Sequence, residues 1–124
     1  MSVRFELFTK DPKLAIDFYT GILGFEIKYS NERYHSLKRG EVIIGIGSAQ
    51  KLREGHYFRP EVITDRKGLG VEIVLEVDDI EAEYKKIQAS DYPIAEKLTK
   101  REWDLTDFRV IDPDGYYLRI TSRK

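Results

Sequence analysis

The residue types that perform most enzyme chemistry are scarce in this chain. It has 0 Cys, which excludes a thiol nucleophile, a cysteine-rich zinc site and a disulfide scaffold. The 2 His, His35 and His56, lie in different predicted segments, so we expect surface or packing roles for them. Asp112 and Asp114 occur in an Asp-Pro-Asp-Gly sequence, which is more typical of a tight turn than of an acid–base pair. The sequence therefore does not identify catalytic residues.

Charged side chains within predicted strands are stronger candidates for a functional site than these histidines and aspartates. Arg4 and Glu6 fall on the same face of an alternating segment, residues 3–9, whose other face carries Phe5. Glu72 opens a second alternating segment, residues 71–77. Such side chains project from the polar face of a half-buried strand and can meet a ligand or one another.

The elements that position these residues form two similar series. The first half predicts a strand, a helix over about residues 12–23 and three short strands; Asp11 caps the helix and Gly24 ends it. The second half repeats strand, helix and strands, with the helix starting after Asp78. We predict one domain over residues 1–124, with a first unit at 1–48, a connector at 49–69 that can cover a site, and a second unit at 70–124.

An internal repeat supports this division. A shift of 68 residues places Arg4 on Glu72, and a shift of 74 places Gly45 on Arg119. The chain is therefore predicted to be an α+β protein of duplicated βαβββ units, whose curved mixed sheet surrounds a concave pocket. The function is expected on that concave face.

Composition limits the partners. The chain has 124 residues, 41% of them hydrophobic, and a formal net charge of −1, so it can bury a core without a field that attracts nucleic acid. It contains no apolar segment long enough to span a membrane and no secretory signal pattern. We expect a cytoplasmic protein with neither nucleic-acid nor membrane partners.

The motifs resemble those of a known superfamily. Asp11-Pro12, Phe18-Tyr19 and Leu23-Gly24-Phe25 in the first half, and Trp103, Phe108 and Asp112-Pro113-Asp114-Gly115-Tyr116 in the second, are similar to motifs of the vicinal oxygen chelate proteins. That superfamily includes glyoxalases, extradiol dioxygenases, fosfomycin-modifying enzymes and bleomycin-resistance proteins. The resemblance covers nearly the whole chain and implies their fold; several chemistries and simple binding share that fold.

The resemblance also implies four positions at which metal-dependent members bind a divalent ion. They correspond here to Arg4, Gly45, Glu72 and Arg119, of which only Glu72 can bind a cation. We therefore expect no metal and no other cofactor, and an enzyme is disfavoured. Arg4, Glu72 and Arg119 are expected to converge, with Glu6 nearby, either as a structural ion-pair network or as an anchor for a ligand carboxylate or phosphate.

Aromatic residues supply the remaining candidates. By resemblance Trp103, the single tryptophan, lines the cavity and stacks on a flat ligand, although a core or interface role is an equal alternative. Tyr34, Phe108 and Tyr117 are further candidates for the cavity wall. Strand alternation alone does not decide which of them point inward.

The resulting hypothesis is a metal-free small-molecule binding protein that resembles bleomycin-resistance proteins. It is expected to sequester an aromatic or mixed-polarity ligand, such as an antibiotic, at the groove of a homodimer. The alternative is a glyoxalase-type lyase or isomerase, or another metal-dependent enzyme of the superfamily. A purely structural or regulatory interaction domain is a third interpretation.

Overall fold

The computed structural model describes residues 1–59 and 66–123. The chain divides into two units, Met1–Arg66 and Lys67–Lys124. Part of the predicted connector, residues 60–65, lies outside the described residues.

The first unit contains a four-stranded mixed sheet. Its elements are β1 (Phe5–Thr9), α1 (Pro12–Asp17), a π-helical segment (Phe18–Ile22), β2 (Glu26–Ser30), β3 (Tyr34–Arg39), β4 (Val42–Ser48) and a 3₁₀ turn (Ala49–Lys51). The sheet order is β1-β4-β3-β2, with β1 parallel to β4 and the other pairs antiparallel. The predicted helix over about residues 12–23 is thus a short α-helix continued by a π-helical segment.

The start of α1 follows from its sequence. The Asp11 carboxylate accepts a hydrogen bond from the Leu14 N–H at 3.2 Å, and Pro12 occupies the first turn, where its missing N–H is not needed. The chain leaves the π-helical segment at Gly24, whose φ of 73° a side chain would disfavour.

The second unit repeats this plan. Its elements are β5 (Glu72–Val77), α2 (Ile80–Ala89), β6 (Glu96–Lys100), β7 (Thr106–Ile111) and β8 (Tyr117–Ser122). The sheet order is β5-β8-β7-β6, with β5 parallel to β8. These two sheets confirm the predicted α+β class and the duplicated βαβββ order. Strand β6 was not predicted, because its polar sequence contains no clear apolar alternation.

Each sheet buries one face. In β5 the buried residues Ile73, Leu75 and Val77 alternate with exposed ones. The helix α2 packs against β7 and β8, and the Tyr84 ring meets the Phe108 ring edge to face at 5.1 Å. We call the opposite side of each sheet, away from the helix of its own unit, the open face of that unit.

The turn between β7 and β8 is built by Asp112. Its Oδ1 accepts hydrogen bonds from the N–H groups of Asp114 and Tyr116, both at 2.9 Å, and the residue is buried. Gly115 has a φ of 103°, which its lack of a side chain permits. The two aspartates therefore stand in a turn, as the sequence predicted.

The strand registers confirm most of the repeat and correct one part of it. Glu6 pairs with Gly45 in the first unit and Val74 with Arg119 in the second, which reproduces the shifts of 68 and 74. Gly45 also faces Ser36, whereas Arg119 faces Arg109, so β3 maps onto β7 with a shift of 73. Extending the shift of 74 from Gly45 and Arg119 to this strand would therefore be wrong by one residue, because the turns after β3 and β7 differ in length.

Candidate functional site

The open face of the second unit is lined with charge. Glu72 on β5 and Arg109 on β7 lie on this face together with Arg119 on β8, and ion pairs join them. The same strands turn Ile73 and Val110 to the buried side. Two of these residues, Glu72 and Arg119, were predicted to lie together, whereas Arg109 was missed.

These residues belong to a longer series that we call the ion-pair ladder. Its contacts are Arg119 Nε to Glu72 Oε1 at 3.1 Å, Arg109 Nε to Glu72 Oε2 at 3.4 Å, Arg109 Nη1 to Glu96 Oε2 at 2.8 Å, Arg101 to Glu96, and Arg101 Nη2 to Asp107 Oδ1 at 2.8 Å. Three arginines thus alternate with three carboxylates, so the formal charge of the ladder is zero. Such compensation is what allows charged groups to be withdrawn from water.

The ladder is most buried at its Asp107 end. The Asp107 side chain is fully buried, and its Oδ2 has no hydrogen-bond partner in the described part of the chain. Hydrogen bonds from Arg101 and Arg109 hold the pKa of Glu96 below its ordinary value. Hydrogen bonds to Asp107 and Glu96 raise the pKa of the Arg101 guanidinium. This end of the ladder is therefore a structural ion-pair network.

The Arg119 end is less completely paired. The Nε atoms of Arg109 and Arg119 are inaccessible to solvent, and although they lie within ion-pair distance of Glu72, neither has a hydrogen-bond partner in the described part of the chain. Arg109 also lies over the Tyr117 ring, with Cζ 5.9 Å from the ring centroid. The predicted site residue Tyr117 thus adjoins the two arginines.

A smaller polar cluster occupies the open face of the first unit. Glu6 Oε1 accepts hydrogen bonds from Arg4 Nε at 2.8 Å and from the Tyr34 hydroxyl at 3.0 Å. Burial, and then the hydrogen bond to Glu6, raise the pKa of the Tyr34 phenol. Gly45 makes the cluster possible, since an added Cβ there would lie 2.1 Å from Glu6 Oε2 and 2.3 Å from the Tyr34 hydroxyl.

Aromatic side chains extend this face along β1. The Phe8 ring lies 5.4 Å from His56 and 5.0 Å from Phe58, measured between ring centroids, and it approaches Gly47. The predicted connector therefore does supply a cover for part of the first sheet. The sequence analysis missed this cluster because the connector lacks the hydrophobic periodicity of a helix or strand, which would indicate the surface that its side chains contact.

Two predicted aromatic site residues have different outcomes. Trp103 lies in the turn between β6 and β7 and is 53% exposed, next to Asp104 with its positive φ of 66°. Phe108 is fully buried and packs on Tyr84 of α2, so the expectation that it forms a cavity wall was wrong. A one-residue slip in register reverses the face of every side chain in a strand, and Arg109 takes the position on the open face.

The residues at the four metal-ligand positions do not fit a divalent ion. Gly45 offers no ligand, Arg4 and Arg119 are permanent cations, and the Glu72 oxygens already face two arginines. Within residues 1–59 and 66–123, no three His, Cys, Asp or Glu side chains are grouped to hold a metal. His35 instead meets the Ser30 hydroxyl at 2.5 Å, and burial lowers its pKa.

Comparison with known proteins settles the family. The model of the Glyoxalase/Bleomycin resistance protein/Dioxygenase superfamily matches residues 2–120. The chain belongs to this superfamily. No curated protein has significant sequence similarity to the chain.

Several solved structures share the fold of this chain at low sequence identity. A glyoxalase/bleomycin resistance protein/dioxygenase from Nocardioides has a TM-score of 0.80 at 19% identity, over 98% of this chain and 83% of that one. A bleomycin-binding protein complexed with bleomycin has a TM-score of 0.72 at 20% identity, over 100% and 99%. Lactoylglutathione lyase from Agrobacterium tumefaciens has a TM-score of 0.75 at 15% identity, over 98% and 92%.

A basic cavity in the first unit also bears on possible ligands. A cavity of about 300 Å³ at the β2–β3 edge of the first unit is lined by Gly24, Glu26, Lys28, Lys38, Arg39 and Gly40. It is polar and rich in cations.

No helix in the described part of the chain is both long and apolar enough to cross a membrane.

Proposed function

We propose that this protein binds a small organic molecule without a metal ion and sequesters it rather than converting it. The observation that carries the proposal is the chemistry of the four metal-ligand positions, which hold two arginines, a glycine and a glutamate already facing two guanidinium groups. A divalent ion that polarises a substrate oxygen needs several neutral or anionic ligands. These residues cannot provide them.

The surface chemistry supports an aromatic or mixed-polarity ligand. The open faces carry tyrosines beside charged groups: Tyr34 is hydrogen-bonded to Glu6, and Tyr117 lies beside Arg109. Tyrosine provides a large flat contact surface and a polar end. A strongly cationic ligand such as a glycopeptide antibiotic would be favoured by an acidic groove, whereas these charges are balanced or locally basic.

The proposal extends to a homodimer that completes the binding groove and to Trp103 as a stacking residue. The similar bleomycin-binding protein was solved with its ligand bound, which supports sequestration as a use of this fold. Trp103 is half exposed on a turn, where a bound ligand or a partner subunit can cover its ring. The cytoplasm is proposed as the location because the chain carries no cysteine to benefit from an oxidising compartment.

Native mass spectrometry with elemental analysis of the same sample tests this function. We expect a metal-free dimer, with or without a retained organic molecule. About one divalent ion per chain would contradict the proposal and favour the glyoxalase-type alternative. A metal-free monomer would remove the dimer and leave only the binding hypothesis.

Binding of 2-naphthoate, followed by calorimetry, tests the role of Trp103. Trp103→Ala should raise the Kd about 5- to 150-fold, the loss of one stacking contact. Tyr29→Ala is the matched control, because Tyr29 is 56% exposed, close to the 53% of Trp103, but lies on strand β2. Equal affinity of wild type and Trp103→Ala would remove Trp103 from the site.

A further inference from the structure

Arg109 and Arg119 are direct cross-strand partners on β7 and β8. Their side chains therefore leave the same face of the sheet at neighbouring points. They are also largely buried, with 17% and 26% of the side-chain surface exposed. Like charges directly opposite each other destabilise a sheet, so this pair requires anions nearby.

The anions compensate the charge but, in the described part of the chain, leave the Nε donors of both arginines without a hydrogen bond. Glu72 faces both Nε atoms without a hydrogen bond, and Glu96 accepts hydrogen bonds from both Arg109 Nη1 and Arg101 Nη2. Glu96 is shared with Arg101, which draws it toward the other end of the ladder. Each guanidinium has five N–H donors. In the described part of the chain, the Arg119 Nε donor has no hydrogen-bond partner.

We propose that Arg109 and Arg119 form an anion clamp that holds the carboxylate or phosphate of a ligand whose flat ring lies against Tyr117. This inference deepens the proposed function and rests on it. Guanidinium groups bind such oxyanions with two parallel hydrogen bonds each, and the Nη N–H groups other than the one that Arg109 Nη1 donates to Glu96 are the donors for the ligand. Glu72 lies within ion-pair distance of both Nε atoms, and this attraction orients the two guanidinium groups before the ligand arrives.

The Tyr117 ring is the second part of the proposed site, the surface that contacts the ligand's aromatic ring. It lies 5.9 Å from the Arg109 guanidinium, on the open-face side of β8. A ligand with an oxyanion on an aromatic ring can meet the arginines with the one group and the tyrosine with the other. The clamp therefore selects aromatic acids or aryl phosphates over neutral aromatic molecules of the same shape.

Calorimetry with three probes tests the clamp in the wild-type chain. The probes are 2-naphthoate, 2-naphthyl phosphate and the neutral 2-naphthalenemethanol. We expect both anions to bind at least about tenfold more tightly than the alcohol, which is the scale of a charge-assisted hydrogen bond. The tighter of the two anions identifies the oxyanion.

Variants then locate the binding site. Arg119→Gln and Arg109→Gln should each raise the Kd of the tighter anion about 10- to 100-fold and bring it close to that of the alcohol. Arg119→Lys keeps the charge but not the fork, so an intermediate loss is expected. Lys38→Gln is the matched control, because it removes a cation from the basic cavity of the first unit and leaves the second unit unchanged.

The outcomes separate the clamp from the proposed function. Equal binding of the anions and the alcohol would overturn the clamp and leave a metal-free binder intact. Loss of anion binding in Lys38→Gln, with Arg109→Gln and Arg119→Gln unchanged, would assign the anion to the basic cavity instead. Binding of none of the probes would overturn the clamp, whereas about one divalent ion per chain in elemental analysis would overturn the proposed function.

Discussion

Replacing Gly45 by alanine tests how tightly the polar cluster of the first unit is packed. The added Cβ would lie 2.1 Å from Glu6 Oε2 and 2.3 Å from the Tyr34 hydroxyl, whereas ordinary contact begins at 3.4 Å. At least one of these side chains must therefore move by about 1 Å or more. Movement on that scale breaks the 3.0 Å hydrogen bond between them.

The magnitude follows from two opposing effects. Losing a hydrogen bond to a charged group costs about 1.5–3 kcal/mol when it is buried, and we take about 1–2 kcal/mol because Glu6 retains contact with water. Replacing glycine within a strand recovers about 0.5–1 kcal/mol. The free energy of unfolding of Gly45→Ala should thus fall by up to about 1.5 kcal/mol.

Gly47→Ala is the control, because Gly47 lies on the same strand and face but its added Cβ would sit 3.4 Å from Phe8 Cδ1. It should be neutral or stabilising, which places the two variants about 1–2 kcal/mol apart in urea unfolding. Introducing Gly45→Ala into a Tyr34→Ala background should cost less than in the wild type, since the ring has gone. Equal stability of Gly45→Ala and Gly47→Ala would refute the packing argument.

Three other predictions concern the second unit. Phe108→Ala should lower the free energy of unfolding by about 3–5 kcal/mol in urea unfolding, because the ring is fully buried against Tyr84; a loss under 1 kcal/mol would contradict its core position. Burial, and then the charge of Asp112, raise the pKa of Tyr92 to about 12. The stabilisation from its neutral phenol should therefore be complete below pH 10 and decline as the pH rises toward 12. The free energy of unfolding of Tyr92→Phe should lack that decline. The pKa of Glu96 lies below its ordinary 4.5, so the stabilisation from its ionised carboxylate should be present above pH 4.5 and decline as the pH falls through the lower pKa of the folded state. If the stability of Glu96→Gln fell as steeply with acid as that of the wild type, Glu96 would not be the source of this decline.

The sequence by itself determined the architecture. Helix caps, alternating apolar residues and the Asp112 turn depend on neighbours within a few positions, so they can be predicted from the sequence alone. The repeat shifts of 68 and 74 then identified Gly45 and Arg119 as equivalent, which the strand registers confirm. The residue types at the four positions that the family resemblance assigns to metal ligands are also a property of the sequence alone.

The tertiary structure decided which side chains meet. Alternation reveals that a strand has two faces, but not which face points to the helix, because that depends on the register set by each turn. A slip of one residue exchanged Phe108, which is core, for Arg109, which lies on the open face. The part of the ion-pair ladder that contains Arg109 and Arg119 could not be predicted, because its contacts to Glu72 and Glu96 join residues that are distant along the chain and adjacent only after the strands pair.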